Sequence, residues 1–250
     1  MRRVRLAAAL GRLAAVAAIA FAAPALVSTG MWALADRPQS WRAADWGSSG
    51  LLAGERPGEA VIHVLAARTG GLKGALSVHC WLVVRRAGAP EFDRYDKVGW
   101  GSPIRRNGYP PDGRWYSNDP FIVASVRGEA AARLIPRIEA AIAAYPHRER
   151  GAYRLWPGPN SNSFVAHVMR QVPEIGAVLP PNAIGRDYLA GGALVAVDRD
   201  WRDAHLSLGG LAGISLGLRS GFEVHLTGLV AGIDLMRPGI KIPALGRIGI

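Results

Sequence analysis

Cysteine is almost missing from this sequence, because Cys80 is the single one among 250 residues. A lone cysteine cannot form an intrachain disulfide or a cysteine metal cluster, so a disulfide scaffold and a zinc-cluster protein are both excluded. The six histidines show no HxH, HExxH or other ligand spacing. We therefore expect no metal site and no cofactor.

The sequence also lacks a long run of charge. Lysine and arginine outnumber aspartate and glutamate by 30 to 19, but four arginines stand in the first twelve residues and the others are scattered, with short pairs such as Arg85 and Arg86. A nucleic-acid groove needs clustered basic residues interleaved with aromatic ones, so we expect no nucleic acid partner. Half of the residues are hydrophobic, which excludes general disorder.

Near the N-terminus no charged residue occurs from Leu13 to Leu34, a stretch of 22 residues. A helix of roughly 20 apolar residues spans a bilayer, and the preceding arginines place the N-terminus in the cytoplasm by the positive-inside rule. Pro24 divides the stretch, however, and Ala33-Leu34-Ala35 has the small residues of a signal-peptidase site. Residues 1–35 are therefore either a transmembrane anchor or a cleaved signal peptide, and both export the rest of the chain.

After a tryptophan-rich juxtamembrane segment, 36–58, the hydrophobic pattern predicts a single α+β domain over 59–250. The pattern contains apolar runs of strand length, amphipathic helical spacing and short alternating segments. The predicted elements are strands over Ala60–Arg68, Leu76–Arg86, Glu91–Val98 and Phe121–Val126, a long loop from Gly101 to Asp119, a helix over Glu129–Tyr145, a helix from about Ser161, and a C-terminal β-meander.

Small polar residues, Asn160–Ser163, lie between a Pro-Gly-Pro turn and a predicted helix. Such residues cap the free N–H groups of a helix start, and serine or cysteine nucleophiles are often placed there too, because the helix dipole favours negative charge. A nucleophile needs a base, and His79 is the best candidate, because it lies in the most apolar strand with Trp81 on its own face. A buried histidine can equally be a structural core residue.

The third group of a catalytic triad depends on how two strands are paired. If the turn after Leu76–Arg86 centres on Gly88 and Ala89, then Asp96 lies opposite Trp81 and on the same face as His79. A slip of one residue would remove Asp96 from that face, which leaves Tyr95 and Asn107 as alternatives.

Several of these stretches resemble a known bacterial family. They are His79-Cys80-Trp81, Asn107-Gly108-Tyr109, Trp156–Val165 and Ile240–Pro243, and they resemble the domain of unknown function numbered 3750 over nearly the whole chain after the anchor. That family has no established activity that could be transferred to this chain.

A more distant similarity carries more chemistry. A strand histidine followed about eighty residues later by Asn-x-Asn-x-Phe at a helix start is similar to the circularly permuted papain-like superfamily, which includes cell-wall NlpC-type peptidases and lecithin:retinol acyltransferase-like enzymes. The resemblance implies a papain-like antiparallel sheet packed on helices, with His79 as the base. Ser161 stands where those enzymes have their nucleophilic cysteine, and Ser163 lies close to it in sequence.

Two functions follow as hypotheses. The first is a membrane-tethered hydrolase or acyltransferase of the bacterial envelope, on the periplasmic or extracellular side of the inner membrane, or secreted if the N-terminal segment is cleaved. Its catalytic residues would be His79, Ser161 and Asp96. The second is an inactive papain-like module that binds a cell-envelope peptide, glycan or lipid. The expected binding residues are Asn160, Asn162, Ser163, Trp81, Trp115, Tyr116 and Trp156.

Overall fold

The computed structural model describes residues 11–12 and 14–249, so part of the predicted N-terminal segment 1–35 lies outside the described residues. Ala14–Leu34 is a helix with a mean hydropathy of 1.8, and its length and composition suffice to cross a membrane. It contains a π-helical turn over Ala18–Ala22, which helix α1 over Ala23–Leu34 follows. This helix is compatible with the membrane anchor or signal sequence that the uncharged stretch predicts.

The first sheet is antiparallel and has five strands in the order β4-β3-β2-β1-β5. Their bounds are Val61–Arg68 for β1, Val78–Arg85 for β2, Asp93–Lys97 for β3, Ile104–Arg106 for β4 and Phe121–Arg127 for β5. Every residue of β2 is buried, which explains its apolar composition on both faces. Its central position confirms the prediction from that composition.

The pairing of β2 with β3 has the predicted register. Leu82 pairs with Tyr95 and Val83 with Arg94, which is the pairing that a turn centred on Gly88 and Ala89 produces. Gly88 adopts a positive φ of 75°, a conformation that favours glycine.

Two helices cover one face of this sheet. Helix α2 spans Gly128–Ala143 and helix α3 spans Ser161–Gln171, close to the predicted positions. Their apolar residues pack with the alternate β1 and β2 residues that include Ile62 and Cys80. Leu65, Trp81 and Val83 point to the other face, where they pack with Trp115.

A second antiparallel sheet of seven strands follows, in the order β12-β11-β10-β9-β8-β7-β6. The bounds are Val195–Val197, Asp203–Ser207, Ala212–Gly217, Gly221–Leu226, Leu229–Asp234, Gly239–Ile242 and Gly246–Gly249 for β6 to β12. The alternating pattern predicts β8 to β11. It misses the short strands β6 and β12, and also β7, although Asp203–Ser207 alternates between polar and apolar residues.

The predicted loop from Gly101 to Asp119 needs one correction, because it contains strand β4. Ile104–Arg106 pairs with β3 through Tyr95↔Arg106 and Lys97↔Ile104. Three residues flanked by glycine, serine and proline give too short a pattern to distinguish an edge strand from a loop. The α+β class remains as predicted.

Candidate functional site

The site is built around a buried network of charged groups on β2 and β3. His79 Nε2 lies 2.8 Å from Asp96 Oδ1. Arg94 donates to both oxygens of the same carboxylate, from Nε at 2.7 Å and from Nη2 at 2.9 Å. Its Nη1 also donates to the carbonyl of Pro110, and its guanidinium lies over the Trp81 ring. The three charged or titratable side chains are all buried.

Burial and these partners set the protonation of the network. Burial lowers the pKa of His79, and the hydrogen bond to Asp96 opposes this shift only in part. Burial raises the pKa of Asp96, but the charge of Arg94 and the hydrogen bond from His79 outweigh it and bring that pKa to about 2. At neutral pH the pair is therefore a neutral imidazole beside a carboxylate. With its Nε2–H donated to Asp96, the ring has its lone pair on Nδ1, which has no hydrogen-bond partner in the described part of the chain.

Trp115 holds the imidazole from its flat side. The two rings are stacked, with centroids 3.7 Å apart and an interplanar angle of 6°. Trp115 belongs to the long loop after β4. Trp81 on β2 packs in the same cluster as Trp115, and its Nε1 donates to the carbonyl of Pro111 in that loop. The loop therefore fixes the orientation of His79.

Helix α3 begins with a complete capping box. Asn160 Oδ1 accepts from the backbone N–H groups of Asn162 at 3.0 Å and Ser163 at 3.1 Å, while Ser163 Oγ accepts from the Asn160 N–H at 2.8 Å. Ser163 is also within hydrogen-bond distance of the Tyr145 hydroxyl. The cap thus uses Asn160 and Ser163 but leaves out the hydroxyl of Ser161, which makes a long hydrogen bond of 3.4 Å to Asn162 Oδ1.

Asn162 joins this helix start to the central strand. Its Oδ1 accepts from the Cys80 N–H at 3.0 Å, and its Nδ2 donates to the carbonyls of Val78 and Ile184, both at 2.9 Å. The ladder between β2 and β3 covers only Leu82–Val84, so the amide of Asn162 takes the place of a strand beside Val78 and Cys80. This link places Ser161 near His79 although 82 positions separate them in the sequence.

Replacing Asn162 with alanine should lower the free energy of unfolding by about 2–4 kcal/mol, because the buried Cys80 N–H and the buried Val78 carbonyl would lose their side-chain partner. Urea unfolding of the full chain in detergent measures this change. Ser161→Ala is the matched control on the same turn and should stay within about 1 kcal/mol of wild type. Equal stability of Asn162→Ala and wild type would show that the amide does not hold strand and helix together.

His79 and Ser161 line one cavity of about 200 Å³. Of the other predicted binding residues, Trp115, Tyr116, Trp156, Asn160 and Asn162 also line it. Asp96, Trp81 and Ser163 are not among the lining residues: Asp96 lies behind His79, Trp81 lies in the core, and Ser163 belongs to the cap.

Sequence reasoning missed several residues of the cavity wall, among them Lys97, Trp100 and Tyr153. Lys97 is the most unexpected, because it is fully buried and donates to the carbonyl of His147 at 2.6 Å. Burial lowers the pKa of its amine to about 8. A lysine at the end of a polar strand gives no signal of burial in the sequence.

The fold and the site together define an α+β protein in which a helix-start serine and a histidine paired with a buried carboxylate line one cavity. The chain belongs to the family described as "Protein of unknown function (DUF3750)", whose model matches residues 59–188. The match contains the five-stranded sheet, α2, α3 and the whole site, whereas β6 to β12 and the Ile240–Pro243 stretch lie beyond it. Searches among curated proteins and among solved structures found no significant match.

Proposed function

We propose that this protein is a papain-like hydrolase or acyltransferase that uses Ser161 as nucleophile, His79 as general base and Asp96 as the group that orients the base. The observation that carries the proposal is the shared cavity, in which a helix-start hydroxyl outside the cap accompanies a neutral imidazole held by a buried carboxylate. A structural cap alone requires neither the His79–Asp96 pair nor an opening beside it.

In the proposed reaction His79 Nδ1 accepts the Ser161 proton as Ser161 Oγ bonds to the carbonyl carbon of the substrate. The backbone N–H of Ser161, which the Asn160 cap does not use, is available to the negative oxygen that develops. His79 then returns the proton to the leaving group, and an acyl-enzyme remains. Water or an acceptor hydroxyl or amine attacks that ester, with His79 again as base, and Ser161 recovers its proton.

The surroundings of the cavity indicate the class of substrate. Leu76 and Ile184 line the cavity and also pack in the cluster that contains Phe21 of the N-terminal helix. Trp100, Trp115 and Trp156 add aromatic surface. We infer an apolar or amphipathic acyl substrate of the cell envelope, such as a lipid or a membrane-linked peptide, with the domain on the periplasmic or extracellular side and the N-terminal helix as anchor.

The second candidate is an inactive papain-like module that binds an envelope peptide, glycan or lipid in the same cavity. One observation favours it: the Ser161 hydroxyl hydrogen-bonds to Asn162 and not to His79 among the described residues. A serine also depends more on an oriented base than a cysteine does, since its proton must leave during the attack.

A serine-directed phosphonate probe separates the two. We expect covalent labelling of wild type that is lost in Ser161→Ala and in His79→Ala, with the double variant no worse than either single one, because the two residues act as a unit. Because the pKa of His79 is lowered, labelling should persist at neutral pH and fall only in acid, as the imidazole is protonated. Ser163→Ala is the control for the neighbouring serine, which does not line the cavity, and it should retain the label. An unlabelled wild type would favour the binding module.

A further inference from the structure

The seven-stranded sheet has an unusual distribution of polarity between its faces. On one face every residue of the seven described strands is apolar or glycine. One row across the sheet, read through the pairing, is Val195, Leu206, Ile214, Val224 and Ala231. The next row includes the exposed side chains of Leu216, Phe222, Ile233 and Ile240. We call this surface the apolar sheet face.

The opposite face carries the polar residues, and it is the buried one. Glu223, His225 and Lys241 are almost completely buried there, and Glu223 pairs with Lys241 and with Arg186 of the preceding segment. A sheet that meets water on one side places its polar residues outward. Here the polar side faces the protein, so the apolar side requires an apolar partner.

The N-terminal helix contacts this apolar face. Phe21 clusters with Leu229 and packs with Val224 and Ala231, which all belong to the apolar sheet face. Further along the helix the Ser28 hydroxyl donates to the carbonyl of Ala75, and Trp32 Nε1 donates to the carbonyl of Gly71 at 2.9 Å. These contacts fix the helix on the domain. If Ala14–Leu34 crosses a bilayer, Phe21 lies at hydrocarbon depth, and the sheet residues that touch it lie at the same depth.

One end of the sheet has the composition of a membrane-inserting edge. The turns between β6 and β7, between β8 and β9 and between β10 and β11 lie at this end. They expose Trp201, Leu218 and Met236 beside Arg202 and Arg237. Trp201 is 83% exposed. Tryptophan is enriched at the boundary between lipid and water, and arginine is attracted to anionic headgroups.

We propose that the apolar sheet face is embedded in the half of the lipid bilayer nearer to the domain, beside the N-terminal helix. The occupant is lipid and not a protein partner, because the surface is continuous with an apolar helix of membrane-spanning length and because its strands present no polar side chain to a partner. The proposal rests on the proposed membrane anchoring, but not on catalysis at Ser161.

Fluorophores attached to introduced cysteines test this placement, and the buried Cys80 gives little background labelling. Full-length Leu216→Cys and Ile240→Cys would be labelled and reconstituted in vesicles of phosphatidylethanolamine and phosphatidylglycerol. Val16→Cys reports on the helix, and Arg133→Cys on the exposed surface of α2. We expect quenching by lipids with spin-labelled acyl chains at Val16, Leu216 and Ile240, several-fold above that at Arg133, and quenching by aqueous iodide mainly at Arg133.

The other results each overturn the proposal in a distinguishable way. Lipid quenching at Val16 with iodide quenching at both sheet positions would leave the anchor but place the face in water. Sheet positions protected from both quenchers, with energy transfer between differently labelled chains, would identify a second copy as the occupant. Iodide quenching at Val16 as well would remove the anchor and the embedded face together, whatever the probe labelling of Ser161 shows.

Discussion

Arg94→Met should lower the free energy of unfolding by about 3–5 kcal/mol, as expected when one partner of a buried ion pair is removed. Arg94 gives two charge-assisted hydrogen bonds to Asp96, and both side chains are fully buried. Methionine has similar bulk but leaves the carboxylate with His79 as its remaining side-chain partner. Urea unfolding of the full chain in detergent measures the loss.

The stability loss of Arg94→Met should depend on pH, whereas a simple loss of packing would not. In wild type the pKa of Asp96 is about 2, below its ordinary value of 3.8, so its stabilising contribution is present above about pH 4 and is lost as the pH falls toward 2. Without Arg94, burial should raise that pKa above its ordinary value. The deficit of Arg94→Met should then be largest at neutral pH and shrink as the pH falls, because the folded variant takes up a proton on Asp96.

Two controls separate the charge from the packing. Arg133→Met removes an exposed arginine whose partner is the exposed Glu129, and it should change stability by only about 0.5 kcal/mol or less. Arg94→Met combined with Asp96→Asn should recover part of the loss, because it removes the unpaired charge. A loss below about 1 kcal/mol in Arg94→Met would contradict a strongly coupled buried pair.

The prediction of the site from the sequence depended on the register of one strand pair, β2 with β3. Strands β1 and β2 are recognisable because burial on both faces makes them nearly continuous apolar runs. Once the turn at Gly88 is identified, the period of two residues fixes which β3 side chain shares a face with His79, and Asp96 follows.

The sequence does not reveal which polar residues are buried, because their partners are distant along the chain. Strand β3 reads Asp-Arg-Tyr-Asp-Lys, a composition typical of an exposed edge, yet four of its five residues are buried. Arg94 and Asp96 neutralise each other, and Lys97 reaches a carbonyl fifty residues away. The C-terminal strands show the same limit, because alternation predicts two unlike faces but does not tell which of them points inward.

Ser161→Cys should create a thiol that reacts with iodoacetamide near pH 6 roughly 10-fold faster than an exposed cysteine of ordinary pKa. The start of α3 and the neighbouring imidazole favour the thiolate. If they bring the thiol pKa to about 6, the thiolate fraction at pH 6 is roughly 150-fold higher than for a thiol of pKa about 8.5. The more acidic thiolate is also a weaker nucleophile, which divides this gain by roughly 13.

The chain offers its own controls for this rate. Wild type should hardly react, because Cys80 is fully buried and burial raises the pKa of its thiol. Ser102→Cys places a thiol on an exposed loop, and its rate should rise with pH as expected for an ordinary cysteine. Adding His79→Ala to Ser161→Cys should remove most of the advantage near pH 6 but leave the access to the cavity intact. If Ser161→Cys reacts no faster than Ser102→Cys near pH 6, the Asn-Ser-Asn-Ser turn is only a helix cap, and neither a papain-like enzyme nor its inactive relative explains the site.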